Sequence, residues 1–434
     1  MNNILSLAER AFVVFSLLVF MQAFIPAMRQ ALGLPIDQGD PISTLFGLLI
    51  LIFTLFLLVI WYKRVLRVVI KEQLLWILIA IANFSLFWSV APEETHSNLI
   101  ILGRITLFGI YFAARYNRKE QLQLLAWTFG IAAVFSLVFA LALPTYGLMG
   151  RGSVLTPEDM AHAGTWRGVY SHKNLLGRAM VLGGCVFLLF ANSNRKYSWV
   201  GWTGFVLSII LILGCTSKTA LVSLLTLLML MPLYRALRWN YSVALPFFIT
   251  TVSVGGSLAI VLVSNAESIL GAMGKDLTFT GRVPLWAAVI DKISEHPWLG
   301  YGYDAFWLGL DGESAQIWRM LGWAVPHAHN GFIDLCVDLG LIGLSVFVVS
   351  YFATYIRAIA EIRKTKTGEG LLPLIYLTFF VLANLTESTI RQNFFWVMYV
   401  VITLSTHNNF TQEFEQKQVQ PEVKKSLTHS SQGG

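Results

Sequence analysis

Two histidines and an asparagine, within residues 327–330, lie just before a long hydrophobic stretch. His329 falls where that stretch begins, at the predicted boundary between water and lipid. Because an imidazole gains and loses a proton near neutral pH, a histidine held there can serve as a general base. Asn330 is a residue type that caps helices, and His327 is placed to support its neighbour. The alternative on these residues alone is structural, with His329 as a polar cap on a hydrophobic helix.

Positive charges precede three other predicted helices. Arg167 and Asn174 precede one helix, Lys218 opens a second and Arg282 opens a third. A helix N-terminus presents unpaired N–H groups and a positive dipole end, and a nearby cation adds a full charge, which together suit a phosphate group. The alternatives are that Lys218 snorkels at the membrane surface and that Arg282 and Arg167 are solvated loop charges.

The elements that must position these residues are membrane-spanning helices. The chain is 56% hydrophobic and 13% charged, whereas soluble proteins carry about 25% charged residues. Its hydrophobic residues come in uninterrupted runs of about 20, the length that crosses a bilayer. We therefore predict an all-α, polytopic membrane protein in which residues 1–407 form one domain of about 12 transmembrane helices. The predicted spans are 11–28, 44–62, 74–90, 99–114, 122–143, 175–192, 198–214, 219–233, 243–263, 331–356, 371–386 and 391–406.

The distribution of lysine and arginine predicts how these spans are oriented. Basic residues cluster in the loops after the even-numbered spans, so those loops and both termini are predicted to be cytoplasmic. Two long loops, about 145–174 and 264–330, then face outward, which in a bacterial inner membrane is the periplasm. The same rule disfavours cations in outer segments, so the arginines and the lysine there indicate a function. The polar tail, residues 408–434, is predicted to be disordered and cytoplasmic.

Charge and cysteine content argue against several other classes of protein. The net charge of +7 comes from basic residues in short loops, so it does not predict nucleic-acid binding. The three cysteines, Cys185, Cys215 and Cys336, lie in or beside apolar segments, and their spacing fits neither a zinc site nor a disulfide framework. The sequence shows no acidic metal-binding cluster, and we expect neither a metal nor a cofactor.

The large outer loop contains one predicted amphipathic helix, over residues 282–296. Leu285, Val289 and Ile293 recur at helical spacing and give it one apolar face. Such a helix either lies along the membrane surface, where it would cover a lipid-linked substrate, or packs on its own domain. The residues alone leave both possibilities open.

Four blocks of the chain together resemble a known family. They are His329-Asn330 followed after nine residues by Gly340 and Gly343, the block from Thr280, Gly281 and Arg282 through Trp286 to 296–302, the earlier loop with Arg167, Gly168, Asn174 and Gly177, and Ser85, Trp88, Ser89 and Pro92 in the third span. This combination resembles the O-antigen ligase and O-antigen polymerase superfamily of bacterial envelope polysaccharide enzymes. The resemblance covers most of the chain from about residue 80 to residue 390.

The resemblance implies a metal-independent, inverting glycosyltransferase with about twelve spans. Its donor would be an undecaprenyl-diphosphate-linked glycan, and its acceptor a hydroxyl group on a lipid or a saccharide. His329 matches the family's histidine and Arg282 matches one of its phosphate-binding arginines. Lys218 stands where the family has a second arginine, and a lysine keeps the charge but loses the bidentate fork.

Two questions stay open at the level of the sequence. Ligation of a glycan to a lipid core, polymerisation of repeat units and transfer of glycan to protein share this architecture, and the sequence does not separate them. The alternative from another class is a transporter of an inorganic anion such as bicarbonate. A transporter would place its site near the middle of the bilayer, whereas the candidate residues here crowd the outer face, which favours the enzyme.

Overall fold

The computed structural model describes residues 2–34, 40–151, 160–239, 242–243, 282–365 and 367–407. Within these ranges the chain is helical and holds no β-strand, apart from one isolated antiparallel bridge between Leu148 and Trp166. The all-α prediction is therefore confirmed for the described part of the chain. All but the first residue of the ninth predicted span, together with Thr280, Gly281 and the tail 408–434, lie outside these ranges.

The described helices are numbered here in chain order. They are α1 (Asn2–Phe20), α2 (Ile25–Ala31), α3 (Pro41–Ile60), α4 (Tyr62–Val69), α5 (Gln73–Phe84), α6 (Pro92–Arg115), α7 (Arg118–Ala142), α8 (Pro144–Gly147), α9 (Lys173–Ser193), α10 (Ser198–Gly214), α11 (Lys218–Ala236), α12 (Arg282–Glu295), α13 (Ala315–Leu321), α14 (Gly331–Lys364), α15 (Leu372–Asn384) and α16 (393–407). Short 3₁₀ turns lie at Ser85–Phe87, Gly309–Asp311, Gly368–Leu371 and Thr389–Arg391.

Six of the described helices, α3, α6, α7, α9, α11 and α14, are long and apolar enough to cross a membrane. A seventh span results if Ile4–Phe20 and Ile25–Ala31, which meet at an angle of 73°, form one broken span. Shorter apolar helices occupy Gln73–Phe87, Ser198–Gly214 and Gly368–Asn384, at the positions of the third, seventh and eleventh predicted spans. The helical, multi-pass class of architecture is thus supported, whereas the count of twelve spans stays a prediction.

Helix α9 lies at the centre of this bundle, mostly buried between α7, α10, α11 and α15. A Cβ atom on Gly177 of α9 would lie 2.9 Å from the Cβ of Ala220 on α11, so glycine lets the two helices approach closely. As a result, the N-termini of α9 and α11 lie side by side, and the Ser217 hydroxyl donates to the Asn174 side-chain oxygen at 3.2 Å. Two polar segments far apart in the sequence therefore meet at one place.

Helix α14 is broken at Gly340, which has a φ of 65° and a ψ of −171°. The break frees backbone groups that pair with the outer loop: Leu341 N donates to Pro297 O at 2.8 Å, and Tyr301 N donates to Val337 O at 2.9 Å. A Cβ on residue 340 would lie 2.2 Å from the carbonyl carbon of Trp298, so only glycine fits. Gly340 therefore lets the loop 297–302 dock against α14.

The predicted amphipathic helix is present as α12. Leu285 and Val289 are fully buried in a small apolar cluster with Tyr301, Phe306 and Val325, all from the outer loop. The alternative in which this helix packs on its own domain is therefore the one observed for its apolar face. Because the Trp286 indole donates to the Ala328 carbonyl at 2.8 Å, α12 also holds the segment that carries the two histidines.

Candidate active site

Glu387, in the turn after α15, lies among two histidines and two arginines. Its Oε2 is 3.2 Å from His329 Nδ1, 3.8 Å from His327 Nε2 and 3.7 Å from Arg178 Nη1, and its Oε1 is 3.7 Å from Arg282 Nη2. The histidines precede α14, Arg282 begins α12 and Arg178 lies in the second turn of α9. Three segments that are distant from Glu387 in the sequence therefore converge on its carboxylate.

The charges around Glu387 decide its protonation. Burial by itself disfavours the ionised form, but the hydrogen bond with His329 and the positive charge of Arg178 outweigh it and lower the pKa of Glu387 to about 2. At neutral pH the carboxylate is therefore ionised and can only accept hydrogen bonds. A neutral His329 must then carry its proton on Nδ1, which leaves Nε2 as an acceptor.

His327 is placed differently from its neighbour. Burial lowers its pKa to about 4, and the nearby His329 contributes in the same direction, so His327 is neutral at pH 7. Its Nδ1 accepts a hydrogen bond from the backbone N–H of His329 at 3.1 Å, and the two ring centres are 4.3 Å apart. His329 has a φ of 50°, which is uncommon outside glycine. His327 therefore supports an unusual backbone conformation at His329.

The buried carboxylate of Asp334 holds the segment with the two histidines in place through hydrogen bonds. It accepts hydrogen bonds from Ala328 N at 3.0 Å, from the Trp307 indole at 2.7 Å and from the hydroxyl of Ser388. Ala328 lies between the two histidines, and Ser388 follows Glu387 directly. One fully buried side chain thus connects the segment with the two histidines, the loop that carries Trp307 and the turn of Glu387.

The helix cap predicted at Asn330 is present. Its side-chain oxygen accepts hydrogen bonds from Phe332 N at 3.0 Å and Ile333 N at 3.3 Å, which satisfies the free N–H groups at the start of α14. Asn330 therefore sets where α14 begins and, with it, where His329 is held.

A cavity of ≈ 400 Å³ opens beside Glu387. Its wall includes Lys218, Arg282 and Arg178, with Lys173 and Asn174 at the start of α9. The structure thus brings the predicted residues Lys218, Arg282 and Asn174 together around one space. The N-terminal ends of α9, α11 and α12 also meet there, so the cavity is suited to an anion.

Arg167 is the one predicted phosphate-binding residue that the structure places away from this cavity. Its guanidinium donates to the backbone carbonyl of Tyr146 at 2.9 Å and to the side chain of Gln30 at 3.2 Å. These contacts place Arg167 between the segment 145–151 and α2, and its binding of phosphate stays a prediction.

Sequence reasoning missed Arg178 and Asp334 as parts of this site, and it did not single out Glu387 as a site residue. Arg178 and Asp334 both fall inside predicted membrane spans, where an ionisable side chain is costly and usually functional. That signal was available from the sequence. The partners of Glu387 could not be predicted from the sequence, because they come from three other segments of the chain.

The same residues offer a possible set of metal ligands. One ligating atom from each of His327, His329 and Glu387 lies within 4.8 Å of the other two. However, Arg178 and Arg282 approach the same carboxylate at 3.7 Å, so a divalent cation there would face two guanidinium charges. The cluster therefore fits an anionic ligand better than a metal ion.

Comparison with known proteins agrees with this geometry. Residues 203–348 match the family model described as O-antigen ligase. The chain is also 27% identical over 301 residues to the exopolysaccharide production protein ExoQ of Rhizobium meliloti, an alignment covering 66% of each protein. A second match, 31% identical over 106 residues and 24% of each protein, is to an O-antigen ligase of Pseudomonas aeruginosa. The similarity to the O-antigen ligase family thus covers residues 203–348 of this chain.

The residues that match the O-antigen ligase family model contain part of the candidate site. Lys218, Arg282, His329 and Gly340 lie inside the matched residues, whereas Arg178 and Glu387 lie outside them. The resemblance inferred from the motifs is thus confirmed for residues 203–348, and the described part of the chain has six helices long and apolar enough to cross a membrane. The anion-transporter alternative receives no support from these matches.

Proposed function

We propose that this protein is a metal-independent, inverting glycosyltransferase that moves a glycan from an undecaprenyl-diphosphate donor to an acceptor hydroxyl. The observation that carries the proposal is the His329–Glu387 pair beside a cation-lined cavity. A base and a group of cations in one place are what transfer from a diphosphate leaving group requires.

The cavity would bind the diphosphate of the donor. Arg282 and Lys218 supply charge from α12 and α11, and Arg178 supplies it from α9. Guanidinium groups bind phosphate oxygens in pairs, and they stabilise the negative charge that develops as the diphosphate leaves. Donor binding would place the diphosphate among the arginines that now share Glu387.

His329 would act as the general base. The acceptor oxygen attacks the anomeric carbon, the bond from that carbon to the diphosphate oxygen breaks, and the hydroxyl proton passes to His329 Nε2. The ionised Glu387 holds the proton on Nδ1 before the transfer and stabilises the imidazolium that forms after it. Such base catalysis typically accelerates a reaction by about 10²- to 10⁴-fold.

The same proposal includes the membrane topology of the protein. It would have twelve spans in a bacterial inner membrane, both termini in the cytoplasm and the active site at the periplasmic face. Among the activities of this family we favour polymerisation of an exported polysaccharide, because the more extensive match is to an exopolysaccharide production protein. The acceptor would then be the saccharide end of a second lipid-linked chain.

The deciding experiment is transfer by the purified protein in lipid nanodiscs, supplied with an undecaprenyl-diphosphate-linked oligosaccharide. A polymerase gives a ladder of products from the donor alone, whereas a ligase needs a separate lipid acceptor. His329→Ala is expected to abolish transfer, and Arg282→Ala is expected to raise the donor KM. His96→Ala is the matched control, because His96 is an exposed histidine on α6. Transfer that survives in His329→Ala at the wild-type rate would rule out the proposed base.

A further inference from the structure

A second cavity, of ≈ 360 Å³, lies at the opposite ends of the helices from Glu387. Helix α14 begins next to His329, and near its other end Glu361 pairs with Arg118, whose side chain lines this second cavity. Arg64 and Arg67 of α4 also line it, together with Arg115 at the end of α6. The wall is therefore unusually rich in arginine and distinct from the proposed active site.

Most of the charges around this cavity are already balanced. Three carboxylates are each paired with an arginine: Glu9 with Arg115 at 2.9 Å, Glu120 with Arg10 at 3.1 Å and Glu361 with Arg118 at 3.1 Å. Arg64 and Arg67 differ, since neither contacts a carboxylate in the part of the chain that the structure describes. Two exposed guanidinium charges thus face the cavity without a counter-ion from those residues.

The two arginines are held with hydrogen-bond donors to spare. Arg64 Cζ lies 4.7 Å from the centre of the Trp61 ring, a cation–π contact that orients the guanidinium without using its N–H groups. Arg67 donates its Nε–H to the Lys63 carbonyl at 3.3 Å, which leaves its terminal N–H groups available to a ligand. Paired N–H donors in this form match the oxygens of a phosphate group.

The position of α4 indicates which phosphate would bind. It follows α3 directly, and α3 is a span-length helix with large exposed apolar side chains near its end, such as Phe56 and Val59. Helix α4 buries Val68 and exposes Arg64 and Arg67, so it is amphipathic and suited to the membrane surface. Basic pockets between transmembrane helices on the predicted cytoplasmic side are known to hold anionic lipid headgroups.

We propose that Arg64 and Arg67 form a binding site for the phosphate of an anionic phospholipid, whose acyl chains lie along the exposed face of α3. A free phosphate offers the same oxygens but has no apolar part to place against Phe56 and Val59. The lipid is therefore the ligand that uses both features of the site. The proposal stands independently of the glycosyltransferase activity, because the cavity lies at the other end of the bundle.

The test uses native mass spectrometry of the full-length protein, titrated with phosphatidylglycerol or with the zwitterionic phosphatidylcholine. The wild type is expected to bind phosphatidylglycerol more tightly. The double variant Arg64→Gln/Arg67→Gln is expected to lose about 25-fold in that affinity, from about fivefold for each basic residue near an anionic surface. The double variant Arg195→Gln/Lys196→Gln is the control, since it removes two exposed charges from another loop predicted on the same side and should keep wild-type binding.

An equal loss in the control, or equal binding of both lipids by the wild type, would overturn the proposal in favour of general surface attraction. A second measurement uses the unmodified protein, so it holds even if the variant does not fold. Phosphatidylglycerol should raise the midpoint of thermal unfolding, whereas phosphatidylcholine and inorganic phosphate should not. If inorganic phosphate stabilises the wild type as well as the lipid does, the site binds a soluble anion and the lipid proposal is wrong.

Discussion

Replacing Glu387 with glutamine tests the proposed base and its partner most directly. The change keeps the size of the side chain and removes its charge, so the hydrogen bond to His329 Nδ1, 3.2 Å long, loses its ionised acceptor. A hydrogen bond to a charged group contributes about 1.5–3 kcal/mol, which corresponds to about a 10- to 150-fold fall in kcat. The simple Coulomb energy of an imidazolium 3.2 Å from a carboxylate is larger, about 5 kcal/mol at an effective dielectric constant of about 20. The smaller range is preferred because Arg178 and Arg282 share the carboxylate and repel the imidazolium.

The same variant should change donor binding in the opposite direction. Glu387 is an anion beside the cavity proposed for the diphosphate, and it occupies Arg178 and Arg282. Without its charge, both arginines are free to bind the donor, so the donor KM should fall or stay constant while kcat falls. Steady-state transfer in nanodiscs at varied donor concentration measures the two constants separately.

The control is Glu93→Gln, at an exposed carboxylate in the first turn of α6, which should leave both constants unchanged. A rise in donor KM with an unchanged kcat would refute the reasoning, because it would make Glu387 a structural support for the arginines rather than the partner of the base. Because the pKa of Glu387 is about 2, its carboxylate should stay ionised across the pH range of the assay.

Three further predictions concern the parts that hold the site. Asp334→Asn should lower the free energy of unfolding by about 1–3 kcal/mol, because it weakens a fully buried acceptor of three hydrogen bonds, and an unchanged thermal unfolding midpoint would contradict that role. Gly340→Ala should destabilise the protein and reduce the protection of the 297–302 backbone from hydrogen exchange. Gly103→Ala, with no atom within 4 Å of the added Cβ, should have neither effect. Equal effects of the two changes would show that the break in α14 is unimportant. For His327 the folded pKa of about 4 lies below the ordinary 6.5, so the unfolded chain binds the proton more readily and stability should be lost as pH falls from about 6.5 to about 4. His327→Gln should flatten that loss in pH-dependent thermal unfolding, and a slope equal to the wild type would argue against it.

The local elements of this protein follow from local sequence. Uninterrupted apolar runs predict helices such as α7 and α9, and the spacing of Leu285 and Val289 predicts α12. Asn330 caps α14 as its residue type indicates. These features depend on neighbours within one or two turns, so periodicity and capping chemistry are sufficient to find them.

The tertiary structure decided which of the candidate residues share a site. Motifs were sufficient to name Lys218, Arg282 and His329. They could not identify the carboxylate that contacts His329, because Glu387 lies in a turn that is distant from His329 in the sequence. Arg167 carries the same charge as Arg282 yet faces the carbonyls of the smaller outer loop.

The contact made by the break at Gly340 and the direction of Arg178 were likewise decided by the tertiary structure. A glycine pattern alone does not tell whether another helix or a loop will approach, and the loop 297–302 does so here. Arg178 faces the cavity because α9 is packed on several sides, which fixes its rotation. The sequence by itself determined the membrane class, the helices and the motif residues, because these depend on hydrophobicity and short-range spacing. Only the packing of helices distant in sequence decided which charges meet at Glu387, because that depends on the position and rotation of each helix against its neighbours.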